Sequence, residues 1–152
     1  MQHLAPTLAL ALCCTASWAQ SPDAPRAGTL KTVQGIVTVS QGSSAPRVVQ
    51  PGDPVQVADK LATGADSAAS VVMRDGSTLV LGPHSQLDIT HFAFNGTTQK
   101  GNLFISLLRG SLRMVTGLVG KGNPDAVKIT TPTSVIGVLG TDFIVRTTGG
   151  QP

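Results

Sequence analysis

The chain of 152 residues contains no glutamate and no tyrosine, one tryptophan, and only two cysteines. Both cysteines, Cys13 and Cys14, fall inside an apolar run from Leu4 to Ala16. Removal of that run leaves no thiol for a disulfide, a metal or a nucleophile, so the remainder must be held together by its core alone. Without glutamate there is no Glu pair for acid/base work. Aromatic side chains make up 3% of the chain, too few for the stacking platforms that hold single-stranded nucleic acid. Charge is sparse as well, 12% of residues with a net of +3. It is spread along the sequence and compatible with contact to anionic envelope surfaces. Beyond the N-terminal run, no apolar stretch approaches the ~20 residues that a bilayer requires.

That run has the form of an export signal. It ends in small residues, with Ser17 and Ala19 in the small-x-small arrangement of a signal peptidase site, although only the α-amine and His3 precede the apolar core. The expected division is a cleavable signal peptide over 1–19, a flexible linker over 20–28 with two prolines, and a domain over 29–148. The bulky Leu12 before Cys13 disfavours lipid attachment, so the expected location is the periplasm. A processed length of about 130 residues fits one domain.

Apolar residues then alternate with a period of two, the period of a half-buried strand. Val33, Val37 and Val39 share a parity and predict one strand over Thr32–Ser40. Turn chemistry recurs at Gly42-Ser43-Ser44, Pro51-Gly52-Asp53-Pro54, Thr63-Gly64, Asp75-Gly76-Ser77, Gly82-Pro83 and Asn95-Gly96. This spacing suits strands of about five or six residues and leaves no room for ordinary helices. Asp75-Gly76, between Val71-Val72-Met73 and Leu79-Val80-Leu81, predicts a hairpin with a two-residue turn. Alternation continues through Leu87, Ile89 and His91, then Leu103, Ile105 and Leu107, Leu112 and Met114, Val127 and Ile129, and Phe143 and Val145. Phe104, Leu108, Leu112 and Val115 also fit a helical face. Gly110 costs a helix about 1 kcal/mol relative to alanine, and favours two strands with a bend between them. The fold class is all-β, with short strands and Gly/Pro/Asp turns in a solenoid-like or two-sheet arrangement.

The order of Gly35-Ile36-Val37, Pro51-Gly52-Asp53, Asp59-Lys60-Leu61-Ala62-Thr63-Gly64, Asp75-Gly76-Ser77 and Leu81-Gly82-Pro83 resembles the FecR domain family. So do Arg109-Gly110-Ser111-Leu112-Arg113, Thr131-Pro132-Thr133 and Gly137-Val138-Leu139-Gly140-Thr141-Asp142-Phe143. The resemblance runs from about Gly28 to Thr147. It implies an extracytoplasmic β module of the kind found in regulators that sense an outer-membrane transporter. Two departures stand out. Leu139 replaces the arginine usual in the family, and a cleavable signal stands where transducing members carry a cytoplasmic segment and a transmembrane helix.

Asp53, Asp66 and Asp75 each sit beside Gly, Pro or Ser, where aspartate caps a turn, and Asp59 is read in the same way; the spacing of the four makes no calcium loop. His84 and His91 fall short of a zinc ligand set, with His91 expected at the edge of the core and His84 solvated. No Gly-x-Ser-x-Gly elbow is present, and Gly117–Gly122 with Lys121 lacks the spacing of a phosphate loop and reads as a flexible loop. Val135, Ile136, Val138 and Leu139 either bury as a central strand pair, the favoured reading, or expose an edge for strand addition. Arg109, Arg113, Lys121 and Lys128 are the candidate partner-binding surface, against the plainer reading of a solvated face. The chain reads as a non-catalytic protein-interaction module with no cofactor and no nucleic acid. The alternative is a structural or glycan-binding envelope protein.

Overall fold

The computed structural model describes residues 26–138 and 140–149. The expected signal peptide, residues 20–25 of the expected linker and the Leu139 departure lie outside the described residues. Twelve strands follow in order: β1 (Arg26–Gln34), β2 (Val37–Gln41), β3 (Arg47–Val48), β4 (Pro54–Gln56), β5 (Asp59–Thr63), β6 (Ala68–Met73), β7 (Thr78–Leu81), β8 (Gln86–Phe94), β9 (Gly101–Val115), β10 (Val127–Thr130), β11 (Val135–Gly137) and β12 (Asp142–Thr147). Helix α1 (Leu118–Gly122) and a 3-10 turn (Pro124–Ala126) lie between β9 and β10. The all-β class holds, as one curled 12-stranded sheet.

The sheet has two arms that share β9. Along one arm the order is β3-β2-β5-β8-β9, with β10 and then β11 on the far side of β9; along the other it is β4-β1-β6-β7-β9, with β12 beyond. Residues 101–109 of β9 therefore serve the β8 arm and residues 110–115 the β7 arm. The inner faces of both arms meet in one core, in which Leu30, Leu61, Leu79, Leu87, Leu107, Leu112 and Met114 are fully buried.

The change of arm is made at Gly110, whose φ of +89° suits glycine. A Cβ there would run into Ser85. The backbone groups at this corner are satisfied by hydroxyls: the Ser85 Oγ accepts from the Ser111 amide at 2.9 Å, and the Thr63 Oγ1 accepts from the Ser85 amide at 2.9 Å and donates to the Gly82 carbonyl at 2.7 Å. Gly110 thus bends one 15-residue strand instead of separating two.

Several local expectations change for similar reasons. Thr32–Ser40 is not one strand: Gly35, at φ +69°, turns the chain between β1 and β2, and the Ser67 Oγ accepts from the Ile36 amide at 2.9 Å. The first strand begins at Arg26, so Arg26 and Gly28 of the expected linker are paired with β4, and Ala27 between them is fully buried. The β6–β7 hairpin is present, yet its loop has three residues, Arg74–Gly76, closed by the Met73 amide on the Ser77 carbonyl; Gly76 alone has positive φ. A bulge between Ile89 and His91 reverses the parity, and His91 points out of the core to lie 5.3 Å from the Phe104 ring.

The stretch read as a flexible loop is helix α1, and a parallel pair explains it. β10 runs parallel to β9, and a parallel neighbour needs a crossover connection. Residues 116–126 supply it, anchored by Asp75. The Asp75 carboxylate accepts from the Ser77 amide and hydroxyl at 3.1 and 2.7 Å and from the Val119 amide at 3.4 Å, while its carbonyl accepts from the Leu118 amide at 2.8 Å. The Ser77 hydroxyl in turn accepts from the Gly117 amide. Among the described residues, no helix is long and apolar enough to cross a membrane.

Candidate functional site

The last third of the chain carries two open features. Where β8 turns into β9, residues 98–102 face α1 across a groove of about 880 Å3, whose lining includes Lys100, Asn102, Leu118, Lys121 and Asn123. Asn95 shapes the turn by accepting the Thr97 and Thr98 amides at 3.0 Å each. Val119 is buried beneath the groove and Leu118 is left 41% exposed in its wall. Two ammonium groups around a partly apolar floor suit a carboxylate-bearing surface.

The second feature is a groove of about 440 Å3 between β11 and β12, lined by Ile136, Gly137, Val138, Gly140 and residues 143–146. The expectation that Thr130–Phe143 would be core is corrected here. Val138 is buried, but Val135 is 71% exposed, and β11 is an edge that pairs with β10 alone among the described residues. The physical reason is the hairpin turn at Thr131–Ser134, which sends β11 back along the outer side of β10. That turn is closed by the Ser134 amide on the Thr131 Oγ1 at 3.1 Å.

The family-motif residues shape these features. Asp75 and Gly76 form the β6–β7 loop that anchors α1. Thr131 and Pro132 make the β10–β11 turn, and Gly137 and Gly140 line the β11–β12 groove. The Gly140 and Thr141 carbonyls accept from the Thr116 hydroxyl and amide at 3.0 and 2.8 Å, tying the start of β12 to the end of β9. Phe143 is half-buried on the inner face, while Asp142 is exposed.

The four candidate cations fall in different places. Arg109 is exposed just before the bend. Arg113 is held by Asp142 through two hydrogen bonds, from Nε at 3.0 Å and from Nη2 at 2.6 Å. That contact raises the Arg113 pKa and lowers that of Asp142. Lys121 lines the α1 groove, and the Lys128 Nζ sits 5.8 Å above the centre of the Phe104 ring. Lys100, across the groove from α1, was missed because nothing in the sequence brings residues 98–102 to α1. A charge count by halves is legible in sequence and equally informative. Residues 26–94 hold five cations and five aspartates, whereas residues 95–149 hold six cations against two aspartates, a local +4.

Asp53, Asp59 and Asp75 cap their own turns, accepting the Gln50, Gln56 and Ser77 amides. Asp66 sits at φ +51°. Burial raises the Asp59 pKa despite the Gln56 amide and Arg47. His84 is exposed.

A solved structure described as a cell surface anchoring domain is 27% identical over 41% of this chain and 82% of its own, at a TM-score of 0.39. So low a score supports no argument. No curated protein matches the chain at significance. The profile of the family described as FecR protein matches residues 59–152, more than half of the sequence and the part that contains both grooves. On that match, the chain belongs to the FecR family.

Proposed function

We propose that the processed chain is a non-catalytic periplasmic module that binds an acidic envelope protein and takes part in envelope signalling. Family membership supports the signalling context. The observation that carries the binding reading is the segregation of charge: the whole positive excess lies in residues 95–149, where Lys100 and Lys121 line an open groove. Such a half draws an acidic partner in and orients it, with an on-rate that falls as salt rises. The inner faces are filled with aliphatic side chains and the buried hydroxyls of Thr63, Ser77 and Ser85 are engaged by backbone groups, which suits a scaffold for contact.

The test is capture from envelope extract on the immobilised, processed chain. An acidic protein should be retained, and the double substitution Lys100→Gln/Lys121→Gln should weaken its binding several-fold and flatten its salt dependence. Retention of surface polymer without any protein would overturn the reading in favour of a glycan-binding or structural role. Unchanged affinity of the double variant at low salt would remove the groove from it.

A further inference from the structure

Among the described residues β12 is the longest strand with a single neighbour: it pairs with β9 alone over six residues, against three for β11 and β4 and two for β3. Its backbone groups can be assigned to sides. The Thr116 amide donates to the Thr141 carbonyl at 2.8 Å, and these two residues continue the β9–β12 register by one step. Hydrogen-bonded and non-bonded pairs alternate along an antiparallel ladder. Phe143, Val145 and Thr147 therefore direct N–H and C=O to β9, and Asp142, Ile144 and Arg146 direct theirs to the open side. The other edge of β9 gives the same alternation, because Ser111 bonds to Gly82 next to β7.

The sequence along this edge is self-complementary. Asp142, Ile144 and Arg146 lie on the outer face, with Ile144 58% exposed. Phe143 and Val145 lie on the inner face, and Phe143 is only half-buried because its open flank meets the β11–β12 groove. In an antiparallel pair of two such strands centred on Ile144, Asp142 stands opposite Arg146 of the second copy, and Arg146 opposite its Asp142. Phe143 stands opposite Val145 in the same way, over the groove that Ile136 and Val138 help to line.

We infer that the occupant of this edge is a second copy of the chain, joined through β12 about a two-fold axis at Ile144 into one continuous sheet. The pairs 142/146, 144/144 and 146/142 would each exchange two backbone hydrogen bonds, using all the amides and carbonyls that point outward. A parallel pairing in register sets Asp142 against Asp142 and Arg146 against Arg146. Shifting the antiparallel pair by two residues sets Ile144 against a charged residue and removes both Asp142–Arg146 pairings. A two-fold contact of this kind closes on itself and does not propagate. The inference does not rest on the proposed acidic partner, whose cations lie on α1 and the β8–β9 turn.

Sedimentation of the processed chain over a concentration series tests it, and the expected result is a monomer–dimer equilibrium. Arg146→Asp places like charges opposite each other twice and should raise the dissociation constant about tenfold or more. Asp142→Lys should do the same. An equimolar mixture of these two variants restores opposite charges at both positions and should dimerise where neither does alone. Ile144→Pro removes an outward amide without touching the β9 ladder and should yield a monomer with unchanged circular dichroism. Should Asp142→Lys misfold through loss of its Arg113 contact, hydrogen exchange on the unmodified chain remains decisive. The Asp142, Ile144 and Arg146 amides should gain protection as concentration rises. A monomer at every concentration overturns the inference, as does a dimer indifferent to Arg146→Asp and Ile144→Pro.

Discussion

Residues 26–94 carry balanced charge, close their turns with their own aspartate and serine side chains, and end the sheet in β3 and β4, single-neighbour strands of two and three residues. Residues 95–149 carry an excess of four positive charges and contain both the α1 groove and the six-residue edge of β12. Very short edge strands are one of the ways in which sheets blunt unwanted pairing. The contrast teaches that the first half is finished as a scaffold while the second is left open for contact. The two are welded by β9 and by the Asp75 loop, where a hairpin of the first half holds the crossover of the second.

Breaking the weld at Gly110 should have the largest effect. Gly110→Ala adds a Cβ at positive φ against Ser85, where neither the strand nor the hydroxyl network can give way. A loss of about 3–5 kcal/mol in urea unfolding is expected, enough to unfold a marginal domain. Asp75→Ala comes next. It orphans the Ser77 and Val119 amides in a buried setting and should cost about 2–3 kcal/mol. Hydrogen exchange should show the loss concentrated in residues 117–122, with the β6–β7 ladder retained; uniform loss would mean that the loop does not act as an anchor.

The smallest effect sharpens the contrast from within the scaffold. The Asp88 Oδ1 is buried without a hydrogen-bond partner, and its Oδ2 lies 3.8 Å from the Lys60 Nζ. Burial raises the Asp88 pKa above the ordinary 3.8, and Lys60 only partly opposes it. The folded state therefore holds this proton more tightly than the unfolded chain does. The group's contribution is most favourable below pH 3.8 and is lost as pH rises through its folded value. Asp88→Asn should flatten that decline and slightly raise stability at neutral pH. An unfolding series across pH in which the variant shows the same slope as the parent would reject the assignment.

Much of the fold was legible because the core obeys a two-residue period: Leu87 and Ile89, Leu103, Ile105 and Leu107, and Leu112 and Met114 are all buried as their parity requires. Parity failed where one residue breaks the ladder. The bulge before His91 turned a core position outward, and Gly35 split a run of valines into two strands. Helix α1 was not legible, since its cause is a parallel pairing between segments more than twenty residues apart. The apolar character of Val135 and Ile136 suggested burial, but hydropathy does not say whether a hairpin turns toward the core or away from it. The candidate cations were legible one by one. Their placement was not, because Arg113 depends on Asp142 and Lys121 on Lys100, partners set by topology.

A photoreactive residue placed singly at Leu118, in the wall of the basic groove, or at Ile36, exposed on the balanced half, tests the division of labour most directly. In envelope extract, irradiation should yield a protein adduct from position 118 that fades with added salt, and none from position 36. An adduct from position 36 with none from position 118 would contradict the account.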